Sequence, residues 1–293
     1  EPFFLYLHFV DTHLPYYPPE RHARPFLRRI GAVAGELREL SQDAAALFGG
    51  RMEMDRRGFE ILGALYDGAL SWVDEVLGRV LDLVGSSRRL HGRITVVTAD
   101  HGEHLGEQGM MDHAFSLSDS LVRVPLLVNW PGVFEGNGVV THQVQLLDLF
   151  PSLMERLEGA GRADALFPER RGLFPGDAAP PGRPWALAQY TEPVNAALRR
   201  RCPGEAVPGQ ALAMVRGGGW KMILAGDGSC RLHCLESDPQ ELADLSRDYP
   251  ERLEELRRHL PQRMVPGLRE AGAGALRPTD PELEARLASL GYL

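Results

Sequence analysis

The densest group of side chains that could do chemistry lies between residues 100 and 109, directly after the β-branched run Ile94–Thr98. It begins with Asp100 and His101, which Gly102 follows. In α/β sheets, ligands gather where strands end, so a carboxylate and an imidazole at such an edge could coordinate a divalent cation. The alternative is that Asp100 caps a helix or turn and His101 is a solvated loop residue. Composition and spacing alone slightly favour this alternative.

Two other histidines stand where they could bind an anion or transfer a proton. His13 lies in the proline-rich loop 11–19, and Asp11 could orient its ring. His113 follows Asp112 and precedes an apolar run. For both histidines, packing or a surface position is the alternative. Four arginines could form either an anion-attracting face or the solvated side of a helix: Arg21, Arg24, Arg28 and Arg29.

The elements around these residues predict an α/β fold for residues 1–184. Apolar steps of three and four predict an amphipathic helix over 62–84, and helical patterns also cover parts of 20–56 and 141–158. Buried strands are expected at 3–9, 94–98 and 125–130. This order predicts a layered α/β/α domain with a mostly parallel or mixed sheet. Residues 159–184, rich in Gly and Pro, are expected to form a linker or long surface loop.

A smaller α+β subdomain is predicted for residues 185–293. Four short strands are expected at 185–190, 211–216, 220–224 and 231–235, with glycine-rich turns between consecutive ones. A charged amphipathic helix is expected over roughly 239–260. These elements predict a four-stranded antiparallel sheet with a helix packed on it.

Composition excludes several classes of protein. The formal charge of −8 over 293 residues argues against a chain-wide nucleic-acid surface. No apolar run reaches the roughly 18–20 residues of a membrane-spanning helix. Three cysteines are too few for a disulfide framework or a zinc site. Because Lys221 is the only lysine, a functional cation is expected to be Arg, His or a bound metal.

Several segments, taken in order, closely resemble the sulfatase family of the alkaline phosphatase superfamily. The central match is Thr98-Ala99-Asp100-His101-Gly102-Glu103-His104-Leu105-Gly106-Glu107-Gln108-Gly109, then His113, then Ser116 to Val128 with its Arg-Val-Pro-Leu-Leu-Val. Four further segments match the family's strands, helices and C-terminal element: 3–19, 66–81, 144–153 and 220–245. The resemblance therefore covers nearly the whole chain.

The resemblance implies a metal-assisted hydrolase of sulfate monoesters, a sulfuric ester hydrolase of the arylsulfatase type. Asp100 and His101 match two ligands of the family's Ca²⁺ (or Mg²⁺) site, so metal ligation by Asp100 becomes the favoured interpretation. His13 matches the residue that contacts the sulfate or protonates the departing alcohol. His113 matches the Lys-or-His position that neutralises the sulfate oxygens. Both histidines are thus expected to be catalytic and substrate-binding, and the partner is a small-molecule or carbohydrate sulfate ester.

The sequence also departs from the family pattern. The family's nucleophile is a formylglycine made in a Cys/Ser-x-Pro-x-Arg segment, and Cys202-Pro203-Gly204 does not fit it. The paired N-terminal metal aspartates have no counterpart either, and both features belong to a region expected upstream of Phe3. We therefore expect this chain to be a fragment that is inactive alone. Two alternatives are a phosphodiesterase or phosphonate monoester hydrolase on the same scaffold, and a non-catalytic binding or assembly remnant.

Overall fold

The computed structural model describes residues 4–86, 92–134, 138–174, 176–178, 180–190 and 211–265. Its α-helices are α1 Glu20–Arg29, α2 Ala34–Glu39, α3 Ala44–Phe48, α4 Arg56–Gly85, α5 Asp119–Val122, α6 Leu149–Glu158, α7 Ala160–Leu166 and α8 Pro250–Arg257. Its strands are β1 Thr95–Thr98, β2 His104–Leu105, β3 Met111–Asp112, β4 Leu126–Asn129, β5 Ala186–Tyr190, β6 Leu212–Gly217, β7 Trp220–Ala225 and β8 Cys230–Cys234. None of the helices in these ranges is both long enough and apolar enough to cross a bilayer.

The long helix α4 is the scaffold of the N-terminal part. The carboxylate of Asp55 accepts a hydrogen bond from Gly58 N at 2.7 Å and caps the start of α4. At Gly68, α4 lies so close to α1 that a Cβ would come within 2.9 Å of Ala23 Cα. Leu62 of α4 packs with Tyr16 and Met111 in a buried cluster. This cluster anchors both the proline-rich loop and the β2–β3 hairpin on α4. The helix predicted over 62–84 is confirmed as part of α4.

The sheet of the N-terminal part consists of β1 and β4 within the described ranges, and the two strands pair antiparallel. Thr95 lies opposite Asn129 and Thr98 opposite Leu126. The α/β class is confirmed, but this sheet is smaller than the mostly parallel or mixed sheet expected. β1 was expected to be buried on both faces, yet its first three residues are half-buried and Thr98 is exposed. In β4, Leu127 is 60% exposed because only the alternate face packs on the core.

The prediction of a strand at the start of the chain is wrong for residues 4–9. These residues have no strand structure, and Phe4 is 89% and Tyr6 72% exposed. A strand requires a neighbour that pairs with its backbone groups, and no described residue pairs with this segment. Phe3 lies outside the described residues.

The linker expected at 159–184 is also wrong, since much of this segment is ordered and packed. It contains α7, and Leu173 and Phe174 are buried against Trp130. Arg170 is buried and pairs with Glu155 of α6. Paired arginines and buried apolar side chains allow this Gly/Pro-rich segment to pack on the core. Its composition does not indicate these contacts.

The C-terminal part contains the expected four-stranded antiparallel sheet, in the order β5-β6-β7-β8. The predicted helix over 239–260 is confined to α8. Residues 238–249 are instead hydrogen-bonded to β8: Leu245 N donates to Leu232 O, and Asp244 accepts from Leu232 N. One face of the sheet packs against α8, and the other packs against Leu117, which belongs to the N-terminal part. The division into 1–184 and 185–293 stays a prediction.

Candidate active site

The loop that follows β1 carries Asp100 and His101 and is docked on α5 by its backbone. Gly102 N donates to Leu121 O at 2.7 Å, and Glu103 N donates to Ser120 O at 3.2 Å. A Cβ at Gly102 would lie 1.9 Å from Ser120 O. Only glycine permits this approach, so the residue that follows the predicted ligand pair fixes where the loop lies.

A short hairpin, β2–β3, brings the second half of the site back beside the first. His104 lies opposite Asp112 in its register, which places Glu103 and His113 at the same end of the hairpin. Four residues of the segment have positive φ: Gly106 (118°), Gln108 (55°), Gly109 (73°) and Asp112 (70°). The backbone of Gly106 lies against the ring of Phe59 in α4, where a Cβ would come within 2.9 Å.

Three of the four predicted site residues form a cluster of imidazole rings. His101 and His113 stack with ring centroids 4.1 Å apart and planes at 26°. His13 meets His113 edge-on, with centroids 5.0 Å apart. Asp100 Oδ2 lies 3.8 Å from His101 Nε2. The structure therefore brings together all four residues that the sequence identified.

Two carboxylates hold the central histidine. His113 Nδ1 lies 2.7 Å from Asp112 Oδ1 and 3.7 Å from Glu103 Oε1. Burial by itself would lower the pKa of His113, but hydrogen bonding and charge attraction to Asp112 and Glu103 outweigh it and raise the pKa to about 10. For Asp112, burial by itself would raise the pKa. The interaction with His113 outweighs burial and holds the pKa of Asp112 below its usual range. His113 is consequently an imidazolium at neutral pH.

Sequence reasoning did not assign roles to these two carboxylates. Glu103 is buried, and burial raises its pKa. Its surroundings include Tyr16 and Tyr66, whose pKa values are raised first by burial and then by the negative charge of Glu103. The position of Glu103 directly after Asp100-His101-Gly102 was the available signal, but the hairpin that brings Asp112 to it has no strong sequence signature.

His101 and Asp100 fit the requirements of a cation site. His101 Nδ1 lies 2.9 Å from Gly102 O, so this nitrogen carries the proton and Nε2 offers its lone pair. Within the part of the chain that the structure describes, the buried Nε2 atom has no hydrogen-bond partner. Its separation of 3.8 Å from Asp100 Oδ2 suits two ligands of one cation, since each ligand atom would lie about 2–2.6 Å from the ion.

A second group of potential ligands is Glu103, Asp112 and His113, whose donor atoms lie within 4.8 Å of one another. His113 pairs with Asp112 at 2.7 Å and lies 3.7 Å from Glu103, whereas ligation of a cation would require its neutral imidazole. These three residues can therefore pair with one another as an ion-pair cluster, or supply ligands to a cation when the ring of His113 is neutral.

The four arginines of the predicted anion-attracting face lie on α1, and most of them pair with carboxylates. Arg21 contacts Glu75, Arg24 contacts Glu20, and Arg29 lies 3.7 Å from Asp67. These pairs neutralise much of the positive charge. The observation agrees better with a solvated helix face than with an anion site.

Comparison with known proteins shows the family to which the chain is similar. A family model described as Sulfatase matches residues 1–160, more than half of the chain. A choline-sulfatase from Rhizobium meliloti is 25% identical over 188 residues, covering 62% of this chain and 33% of that protein. The chain spans about a third of the length of the curated relatives it matches.

Two solved structures show the same α/β fold. A protein solved in complex with its substrate D-glucosamine-2-N,6-O-disulfate superposes with a TM-score of 0.54 at 19% identity, covering 73% of this chain and 43% of its own. A phosphonate monoester hydrolase of Agrobacterium radiobacter superposes with a TM-score of 0.50 at 25% identity, covering 69% and 42%.

The close approach at Gly102 predicts a large cost for the smallest possible side chain. Gly102→Ala should lower the free energy of unfolding by about 2–4 kcal/mol, because the loop must move away from Ser120 and lose two backbone hydrogen bonds. Urea unfolding measures this. The matched control is Gly78→Ala on the exposed side of α4, where a Cβ meets nothing within 4 Å. It should be stabilising by about 0.5–1 kcal/mol, and equal effects of the two substitutions would contradict the account.

Proposed function

Because the chain belongs to the sulfatase family, we propose that it forms part of the active site of a metal-dependent hydrolase of sulfate monoesters. The observation that carries this proposal is the convergence of His13, His101 and His113 beside Asp100. Hydrolysis of a sulfate monoester requires relief of charge on the nonbridging oxygens and an acid for the leaving oxygen. This cluster contains groups for both tasks.

Asp100 and His101 would hold the divalent cation, with the Asp100 carboxylate and His101 Nε2 as ligands. When bound, such a cation supplies charge stabilisation to the sulfate oxygens and to the attacking group. The resemblance to the sulfatase family favours Ca²⁺ with Mg²⁺ as the alternative, and an aspartate oxygen suits either hard cation. Two ligands are too few for either ion, so further oxygens would come from other side chains or from solvent.

The two remaining histidines would act on the ester itself. The His113 imidazolium, held by Asp112 and Glu103, would face the sulfate and offset its negative charge. His13 Nδ1 contacts Leu14 O at 2.6 Å, so Nε2 is the nitrogen that would hold a proton for the departing alcohol oxygen. The separation of tasks follows from their surroundings, because only His113 is paired with two carboxylates.

The nucleophile of the reaction would lie outside the 293 residues. No Cys/Ser-x-Pro-x-Arg segment occurs in them, and this is the segment in which a formylglycine would form. We therefore propose that the chain alone is inactive and that a longer protein carries the formylglycine. The substrate would be a small-molecule or carbohydrate sulfate ester, as the names of the choline-sulfatase and the glucosamine disulfate complex suggest.

A second candidate function is hydrolysis of a phosphonate or phosphate ester on the same scaffold. The likeness to the phosphonate monoester hydrolase of Agrobacterium radiobacter favours it. The cation and the His113 imidazolium would serve either anion, because sulfate and phosphoryl groups both present nonbridging oxygens.

The proposal predicts activity in the longest natural protein that contains this chain. That protein should hydrolyse nitrophenyl sulfate, lose this activity on chelation and regain it with Ca²⁺. His113→Gln should lower kcat/KM about 10²–10⁴-fold, because the positive charge on the sulfate oxygens is lost. Faster turnover of a nitrophenyl phenylphosphonate would favour the second candidate. A protein inactive on both esters, or turnover by the 293-residue chain alone, would contradict the proposal.

The ligand assignment is tested without any activity. Ca²⁺ should raise the melting temperature of the longest natural protein that contains this chain, and Asp100→Asn in it should weaken the apparent affinity at least tenfold, because a neutral amide replaces the charged ligand. Asp82→Asn on the exposed face of α4 is the matched control and should bind like the parent chain. If both variants respond to Ca²⁺ as the parent does, Asp100 is not a ligand.

A further inference from the structure

Lys221, the only lysine in the chain, is fully buried in β7 and lies between two carboxylates. Its Nζ is 2.9 Å from Asp119 Oδ1 and 2.8 Å from Glu241 Oε1. Arg216 of β6 lies 3.3 Å from the other oxygen of Asp119. Two cations and two carboxylates thus balance one another. Buried charges are expensive unless paired, so this four-residue network holds its members in one arrangement.

The network contacts α5 at the first residue of this helix. Asp119 begins this one-turn helix, and its backbone N–H donates to Glu241 Oε2 at 2.5 Å. Ser118, the residue before it, makes no capping hydrogen bond with its own side chain. A helix of one turn is not stable by itself, so its position depends on tertiary contacts. Here a carboxylate from the C-terminal part supplies the missing cap.

The same short helix positions the loop with the candidate ligands. The carbonyls of Ser120 and Leu121 accept the hydrogen bonds from Glu103 and Gly102. The hydroxyl of Ser120 also lies 3.2 Å from His104 Nδ1, at the start of the β2–β3 hairpin. A continuous series of polar contacts therefore runs from Lys221 through α5 to the residues on either side of His101 and His113.

We propose that Lys221 and Glu241 are positioning residues for the candidate active site, because they fix α5 and, through its carbonyls, the loop that carries Asp100, His101 and Glu103. The C-terminal sheet is then part of the framework of the site. This inference rests on the proposed function for its meaning, but the contacts that carry it do not depend on the ester or on the metal.

Hydrogen exchange of single amides, followed by NMR on the 293-residue chain, tests the proposal. Lys221→Met keeps the length of the side chain but leaves Asp119 and Glu241 facing each other without a cation. The amides of Gly102 and Glu103 should then exchange at least tenfold faster relative to that of Val215 in β6. Lys221→Arg, which keeps the charge, should restore most of the protection.

A matched control separates this coupling from a general loss of stability. Arg170→Met also removes a buried cation, the one that pairs with Glu155 and Asp164, and should leave the ratio of the Gly102 and Val215 exchange rates unchanged. If Lys221→Met does not fold, Glu241→Gln is used in its place and should raise the ratio severalfold. Exchange that rises equally at all amides, or not at all, would overturn the proposal.

The experiment also distinguishes failure of this inference from failure of the proposed function. If the longest natural protein shows no response to Ca²⁺ but Lys221→Met speeds exchange of the Gly102 and Glu103 amides in the 293-residue chain, the metal assignment is wrong and the positioning role stands. If Ca²⁺ binds but these amides do not respond to Lys221→Met, the positioning role is wrong and the metal assignment stands.

Discussion

The contact between the His113 ring and two carboxylates is the interaction on which the candidate site depends. A buried histidine would ordinarily lose its proton, because burial disfavours the charged form. Asp112 and Glu103 reverse this and make the ring a fixed cation that stacks on His101 and meets His13. The ring can stay in this crowded position because its charge is satisfied on one side.

Three separate parts of the chain hold the His113 ring and its neighbours in place. The loop after β1 supplies Glu103, the β2–β3 hairpin supplies Asp112 and His113, and the proline-rich loop anchored on α4 supplies His13. Each part is held by close packing: Gly102 lies against the backbone of Ser120, Gly106 lies against the ring of Phe59, and the side chain of Tyr16 is buried in the cluster with Leu62. Such support gives the rings defined positions, which electrostatic stabilisation of a reacting anion requires.

The sequence predicted this site well where the pattern was local. Asp100 and His101 follow a short β-branched strand, and α4 follows from a 3.6-residue periodicity, so both were placed correctly. The roles of His13 and His113 came from the resemblance to the sulfatase family. The structure places the two rings in contact. The partners Glu103 and Asp112 were missed because a hairpin with strands of two residues has almost no periodicity to detect. Lys221 was noted only as the single lysine and was given no role, since nothing in the sequence indicates that residues 119, 221 and 241 meet.

The failures of prediction have the same physical origin. Residues 4–9 are apolar, but a strand also needs a partner, and composition does not report partners. Residues 159–184 have the composition of a linker, yet Arg170 and Arg183 find buried carboxylates and draw the segment into the core. Residues 239–249 are helical in pattern, but hydrogen bonds to β8 at Leu232 compete with the helix and prevail.

The protonation states of the histidine cluster test the central claim most directly. Long-range ¹H–¹⁵N correlation spectra of the ¹⁵N-labelled chain at pH 8 distinguish an imidazolium from either neutral tautomer. The account predicts that His113 carries protons on both ring nitrogens and that His101 carries its proton on Nδ1. A neutral His113 at pH 8, or a proton on His101 Nε2, would contradict it.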